Sequence, residues 1–108
     1  MTAKLIRVES IENLDELFRA SFERPIVLFK HSNRCGISSH VLEETSAIDG
    51  QIHIVVIQDH RPISNAIAER TGHRHQSPQA FVIRNGETVY HATHYGISPA
   101  RIAELVNG

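Results

Sequence analysis

The sequence contains a single cysteine, which excludes a disulfide bond within the chain. It also lacks any apolar stretch of bilayer length, and its first residues, MTAKLIRVESIENLDE, lack the apolar core of a signal peptide. Lys and Arg number 11 against 12 Asp and Glu, so the formal charge is -1, with no run of one sign. This balance gives no electrostatic reason to expect nucleic acid or a membrane as a partner. We therefore expect a cytoplasmic protein, since that compartment keeps thiols reduced.

The pattern of apolar residues predicts an α/β fold. With 108 residues, 41% of them hydrophobic, the chain suffices for one core and predicts a single domain over residues 1–108. Strands are predicted over residues 4–8, 26–29, 52–57, 80–83 and 88–91. Helices are predicted after Ser10, from Cys35 to Gly50, from Pro62 to Gly72 and from Pro99 onward. The order β-α-β-α-β-α-β-β-α predicts a three-layer sandwich and leaves the strand order open.

The candidate site is centred on Cys35, which lies between a buried strand and a helix start. Free backbone N–H groups and the helix dipole favour an anion there, so we expect a thiolate that reacts at neutral pH. Arg34 adds a positive charge beside it, and Ser38 places a hydroxyl in the first helical turn, within expected reach of the sulfur. Ser77-Pro78, just before a strand, is a candidate cis peptide bond that presents a backbone edge to a ligand.

The eight histidines raise a metal hypothesis. The pairs His73-x-His75 and His91-x-x-His94 have spacings that could chelate a metal, but the predicted elements need not bring them to one point. The chain has one cysteine and no clustered carboxylate, so no metal site is predicted.

Nearly the whole chain, from about Ile11 to the last helix, resembles a known family. The resemblance is carried by Phe29-Lys30-His31-Ser32, Cys35-x-Ile37-Ser38, His75-x-Ser77-Pro78-Gln79 and His94-Tyr95-Gly96-Ile97. These segments resemble the YtxJ-like monothiol bacilliredoxins of the thioredoxin-like superfamily. The resemblance implies a thiol–disulfide oxidoreductase that removes bacillithiol from mixed disulfides on client proteins. It also implies that His75 or His94 lines the thiol pocket.

Two departures from the family pattern concern the small thiol. The family usually has Thr-Cys-Pro-Ile-Ser, whereas this chain has Arg34 before the cysteine and Gly36 after it. Bacillithiol or another low-molecular-weight thiol is therefore the expected co-substrate, with no tightly bound cofactor. The expected partners are S-thiolated clients, the small thiol and a partner redoxin or reductase for regeneration.

The residues also favour a monothiol mechanism over a dithiol one. Thioredoxins carry a buried acid six residues before the nucleophile, which helps to deprotonate a second cysteine. This chain has Phe29 at that position and Ser38 in place of the second cysteine, so both parts are missing together. Two alternatives remain open: a redox-inactive thioredoxin-fold module that binds a partner, and a monothiol glutaredoxin-like carrier of a metal or cluster.

Overall fold

The computed structural model describes residues 2–107, which form five strands and four helices. The strands are β1 (Lys4–Arg7), β2 (Ile26–His31), β3 (Gln51–Val56), β4 (Gln79–Arg84) and β5 (Glu87–Thr93). The helices are α1 (Ile11–Ala20), α2 (Gly36–Thr45), α3 (Arg61–Thr71) and α4 (Pro99–Asn107), and a short 3-10 turn spans His94–Gly96. The predicted order of elements is confirmed. Within residues 2–107, no helix has the length and apolar character needed to cross a membrane.

All five strands belong to one mixed sheet in the order β1-β3-β2-β4-β5. β1, β3 and β2 are parallel, whereas β4 runs antiparallel to β2 and to β5. The register pairs Lys30 of β2 with Gln79 of β4, so the start of β4 lies beside the end of β2. The loop that leads into α2 and the loop that leads into β4 therefore meet at one end of the sheet.

Alternate residues of β2 point to opposite faces of the sheet, and both faces are covered, which explains why its first four residues are all apolar. Val27 and Phe29 pack in a core that includes Val41 of α2 and Ile102 of α4. Ile26 and Leu28, which alternate with them along the strand, pack in a second core with residues of α1 and α3. Helices thus cover both faces, and the predicted three-layer α/β sandwich is confirmed.

Local sequence signals fix several of the element ends. The Ser10 hydroxyl accepts a hydrogen bond from the Asn13 N–H at 2.9 Å and caps α1. Gly72 ends α3 in the left-handed conformation, with φ of 76°. Asn85 and Gly86 both have positive φ, as the tight hairpin between β4 and β5 requires.

Helix α2 ends earlier than its apolar period predicts. The prediction continued it to Gly50, but the helix stops at Thr45 and the buried Ile48 lies in the turn that follows. The Thr45 hydroxyl donates to the Val41 carbonyl and the Ser46 hydroxyl to the Leu42 carbonyl. Such bonds compete with the backbone ladder and weaken a helix, which accounts for the early end.

Strand β2, in contrast, is longer than predicted. The sequence predicts a strand that ends at Phe29 and a polar loop that begins at His31, yet both Lys30 and His31 belong to β2. Lys30 is fully buried. The apolar pattern misses this extension because lysine side chains are rarely fully buried.

Candidate functional site

Cys35 is the N-cap residue of α2, as the sequence predicts. Its backbone is extended, with φ of -122° and ψ of 118°, and its carbonyl accepts the Ser39 N–H at 3.1 Å. The thiol is half-buried, and its side chain makes no capping hydrogen bond. The Cys35 side chain therefore lies at the N-terminus of α2 and is not engaged by the helix backbone.

Ser38 supports the loop before Cys35 rather than the sulfur. Its buried hydroxyl oxygen accepts the Ser32 N–H at 3.0 Å and lies 2.8 Å from Nδ1 of His31. Burial, and then the charge of Arg7, lower the pKa of His31, so the neutral ring can accept at Nδ1. The single proton of the hydroxyl is then used on His31. The described hydrogen bonds of the Ser38 hydroxyl are therefore with His31 and Ser32, and the expected bond to the Cys35 sulfur is not among them.

Gln58, which follows β3, holds the same loop from its other side. Its Nε2 donates to the Ser32 hydroxyl at 2.8 Å, and its Oε1 accepts the Asn33 N–H at 3.1 Å. The Arg34 side chain is exposed, and the backbone N–H of this residue donates to the Ser32 hydroxyl at 3.3 Å. The loop is thus ordered by side-chain hydrogen bonds. Neither Gln58 nor His31 was predicted from the sequence as a site residue.

The Ser77–Pro78 peptide bond is cis, as predicted. Both ladders of β4 begin at Gln79, so Ser77 lies outside them, beside the end of β2. The Pro78 carbonyl accepts the backbone N–H of His94 at 3.0 Å. His94 has a positive φ of 52° and begins the 3-10 turn, which contacts α2. The predicted residues Ser77, Pro78 and His94 therefore belong to one connected loop region.

His75 lies in the same region, with its ring turned partly into the protein. Its Nδ1 is 3.1 Å from the Ser64 hydroxyl and 3.4 Å from Nζ of Lys30. Burial, and then the charges of Lys30 and Arg61, lower the pKa of His75. A neutral ring at pH 7 follows. His75 was a predicted site residue, whereas Lys30 and Ser64, the two residues that hold it, were not.

Two of the histidines that prompted the metal hypothesis, one from each pair, pack against each other. The rings of His73 and His91 are stacked, with centroids 3.8 Å apart and planes within 12°. Nε2 of His91 lies 2.9 Å from the side-chain nitrogen of the buried Gln79. Lone pairs of stacked rings run parallel rather than converge, which does not suit joint coordination of one ion.

A cleft lies at the far end of the sheet from Cys35. Its volume is about 380 Å³, and its lining includes Pro25 before β2, Gln51 at the start of β3 and His53. Cys35 follows the other end of β2.

Gly36 offers a direct test of the helix start. It is the first residue of α2, its φ is not positive, and no atom lies within 4 Å of the place that a Cβ would take. Proline is favoured at this position, and the extended Cys35 backbone suits a following proline. We expect Gly36→Pro to raise the free energy of unfolding by about 0.4–1 kcal/mol, measured by urea denaturation. Gly36→Ala is the control for the added Cβ, and a proline variant less stable than the parent would contradict this helix start.

Solved structures place the chain in the thioredoxin-fold class. One relative, described provisionally as an oxidoreductase with a thioredoxin fold, has 29% identity and a TM-score of 0.81, covering 94% of this chain and 92% of that one. A thioredoxin mutant from Halobacterium salinarum NRC-1 has 14% identity and a TM-score of 0.69, covering 96% and 88%. Schistosoma mansoni thioredoxin has 18% identity and a TM-score of 0.69, covering 96% and 94%. These similarities confirm the predicted thioredoxin-like fold.

Within that class, the family model of monothiol bacilliredoxin BrxC matches residues 6–102. The chain belongs to this family, which confirms the resemblance carried by its motifs. Family and fold together support a thiol–disulfide redox role.

Proposed function

We propose that the protein removes a low-molecular-weight thiol, of the bacillithiol type, from mixed disulfides on client proteins. The observation that carries this proposal is the pairing of a half-buried thiol at the start of α2 with a buried serine three residues later. Cys35 can form a mixed disulfide, but Ser38 has no thiol with which to resolve it. The adduct on Cys35 must therefore be removed by a second molecule.

The reaction balances as two exchanges. In the first, the Cys35 thiolate attacks the small-thiol sulfur, the bond between that sulfur and the client breaks, and the client leaves as a thiolate that takes up a proton. In the second, an external small thiolate attacks the adduct, which yields a small-molecule disulfide and regenerates the Cys35 thiolate. A partner redoxin or reductase is the alternative reductant for this step.

The surface around the thiol supports a protein client. Ile37, in the first turn of α2, is 38% exposed, and Tyr95, in the adjoining 3-10 turn, is 68% exposed. Exposed apolar side chains of this kind supply contact area at protein interfaces. Ser77, outside the ladders of β4, adds a backbone edge on which an extended segment of the client or of the small thiol can pair.

A transfer assay tests this function and the identity of the small thiol. One client protein is prepared with bacillithiol and, separately, with glutathione on its cysteine, and each is mixed with the wild type or with Cys35→Ala. We expect mass spectrometry to show one bacillithiol on Cys35 of the wild type and a reduced client, with no change for Cys35→Ala. Faster removal of glutathione than of bacillithiol would support the exchange chemistry but contradict the bacillithiol assignment. Transfer from neither client would contradict the deblocking role.

A further inference from the structure

Lys30 is a fully buried lysine whose ammonium group hydrogen-bonds to residues outside its own strand. Its Nζ donates to the Ser64 carbonyl at 2.9 Å and lies 3.4 Å from Nδ1 of His75. The Ser64 hydroxyl lies 3.1 Å from the same Nδ1. Strand β2, helix α3 and the loop before the cis peptide bond therefore meet at one nitrogen of His75.

The chemistry of the ammonium group decides which form of His75 fits this contact. An ammonium carries three donors and no acceptor, so Nδ1 of His75 must be the acceptor. A neutral imidazole that accepts at Nδ1 carries its hydrogen on Nε2. With a hydrogen on Nδ1, two donors, the imidazole N–H and the ammonium group, would face each other without an acceptor between them.

Burial, and after it the charges around this contact, lower the pKa of His75 and favour a neutral ring. Lys30 itself and Arg61, at the start of α3, both oppose a positive charge on His75. His91 of β5 also lies within the field of Lys30. Within residues 2–107, the salt bridges join other cations, and none pairs Lys30 with a carboxylate. Lys30 is thus a buried cation held by neutral groups alone.

We propose that Lys30 is a positioning residue that holds His75 in the tautomer with hydrogen on Nε2, as a donor beside the cis Ser77–Pro78 bond. In that form, the half-buried ring presents an N–H to a mixed disulfide seated on this edge. The catalytic consequence rests on the proposed function, whereas the tautomer does not.

The same contact makes the tautomer depend on pH. Burial lowers the pKa of Lys30 from 10.5 to about 8. A deprotonated amine accepts as well as donates, so above this pH His75 is free to place its hydrogen on Nδ1. Below it, the ammonium enforces the Nε2–H form. The groups that face the pair are Ser64 and Arg61 of α3 and His91 of β5.

Nitrogen-15 NMR of the histidine rings tests the tautomer directly. In the wild type we expect His75, assigned with His75→Gln, to be the Nε2–H tautomer at pH 7 and a mixture above pH 8. Lys30→Met should show the mixture already at pH 7, and Lys4→Met, which removes the exposed lysine of β1, should keep the wild-type signal. A wild-type ring with hydrogen on Nδ1 at pH 7 would overturn the proposal, even if Lys30→Met did not fold.

Steady-state transfer kinetics test the consequence. Lys30→Met should raise KM for the mixed-disulfide client roughly tenfold, as expected for one misplaced donor, while iodoacetamide alkylation of Cys35 stays within about twofold. Lys30→Arg, which also only donates, should restore the Nε2–H tautomer. An unchanged KM in Lys30→Met would overturn the positioning role. If the wild type transferred nothing, the proposed function would fail while the tautomer result stood.

Discussion

Ser38→Cys is expected to convert the monothiol site into one that closes an intramolecular disulfide. Cys35 caps α2 and Ser38 is the third residue of the helix, so the new thiol has the spacing of a CxxC pair. After it attacks a mixed disulfide, the wild type should keep the small thiol on Cys35 until an external thiol arrives. The variant should eject it, because the second thiol attacks the Cys35 sulfur. Mass spectrometry of the acid-quenched protein distinguishes the two.

The same substitution should weaken the reduced protein. The Ser38 oxygen accepts the buried Ser32 N–H and contacts His31, and a thiol is a weak hydrogen-bond partner. We expect a loss of about 1–3 kcal/mol in the free energy of unfolding under reducing conditions. Ser46→Cys is the matched control, since it adds a second thiol roughly 16 Å along the helix, out of reach of Cys35. Two free thiols in oxidised Ser38→Cys would contradict the placement of Cys35 at the helix start.

The order of elements was predictable because its signals are local. Ser10 as a cap, Gly72 as a helix end and Asn85-Gly86 as a turn each act within a few residues, and each has the predicted geometry. The strand order is not local in this sense. It depends on which strands pair across the sheet, and the apolar pattern of β2 is the same whichever strand lies beside it.

The position of Cys35 and the cis Ser77–Pro78 bond were predictable for different reasons. The helix start follows from the change from strand to helical period at Cys35, whereas the cis bond follows from the family resemblance. The partner of Ser38 was not predictable, because several groups compete for one hydroxyl. In the folded loop, the Ser38 hydroxyl forms its hydrogen bonds with His31 and Ser32. Both residues lie six or seven positions earlier in the chain, so the helical spacing from Cys35 to Ser38 does not indicate them.

The burial of Lys30 was not predicted, because lysine is rarely found at a buried position of a strand. Alternation along β2 places Lys30 on the same face as Leu28, toward α1 and α3, once the strand is extended by one residue. Lysine is a poor candidate for such a position, so the sequence predicts a strand end there. The loop before β4, which brings His75 to the ammonium, is 45 residues away in the chain.

Because Lys30 is buried, the free energy of unfolding is expected to rise with pH as its ammonium group loses its proton. Burial lowers the pKa of Lys30 to about 8, whereas in the unfolded chain it has the ordinary value of 10.5. Between these values the unfolded state binds more protons than the folded state, so the free energy of unfolding rises with pH. Below pH 8 both states are protonated, and the cost of burying the charge is present in full. The difference between the two pKa values corresponds to a rise of about 3 kcal/mol.

The comparison of wild type with Lys30→Met isolates this rise, because every other titratable group is present in both proteins. We expect the wild-type free energy of unfolding, minus that of Lys30→Met, to increase by about 3 kcal/mol from pH 7 to about pH 10.5. Urea denaturation at a series of pH values measures it, and Lys4→Met, which retains Lys30, should keep the rise. A difference that stays flat over this range would mean that the buried ammonium is not destabilised by its surroundings. Because the hydrogen bonds to Ser64 and His75 are lost at every pH in Lys30→Met, they shift the whole curve without producing a slope.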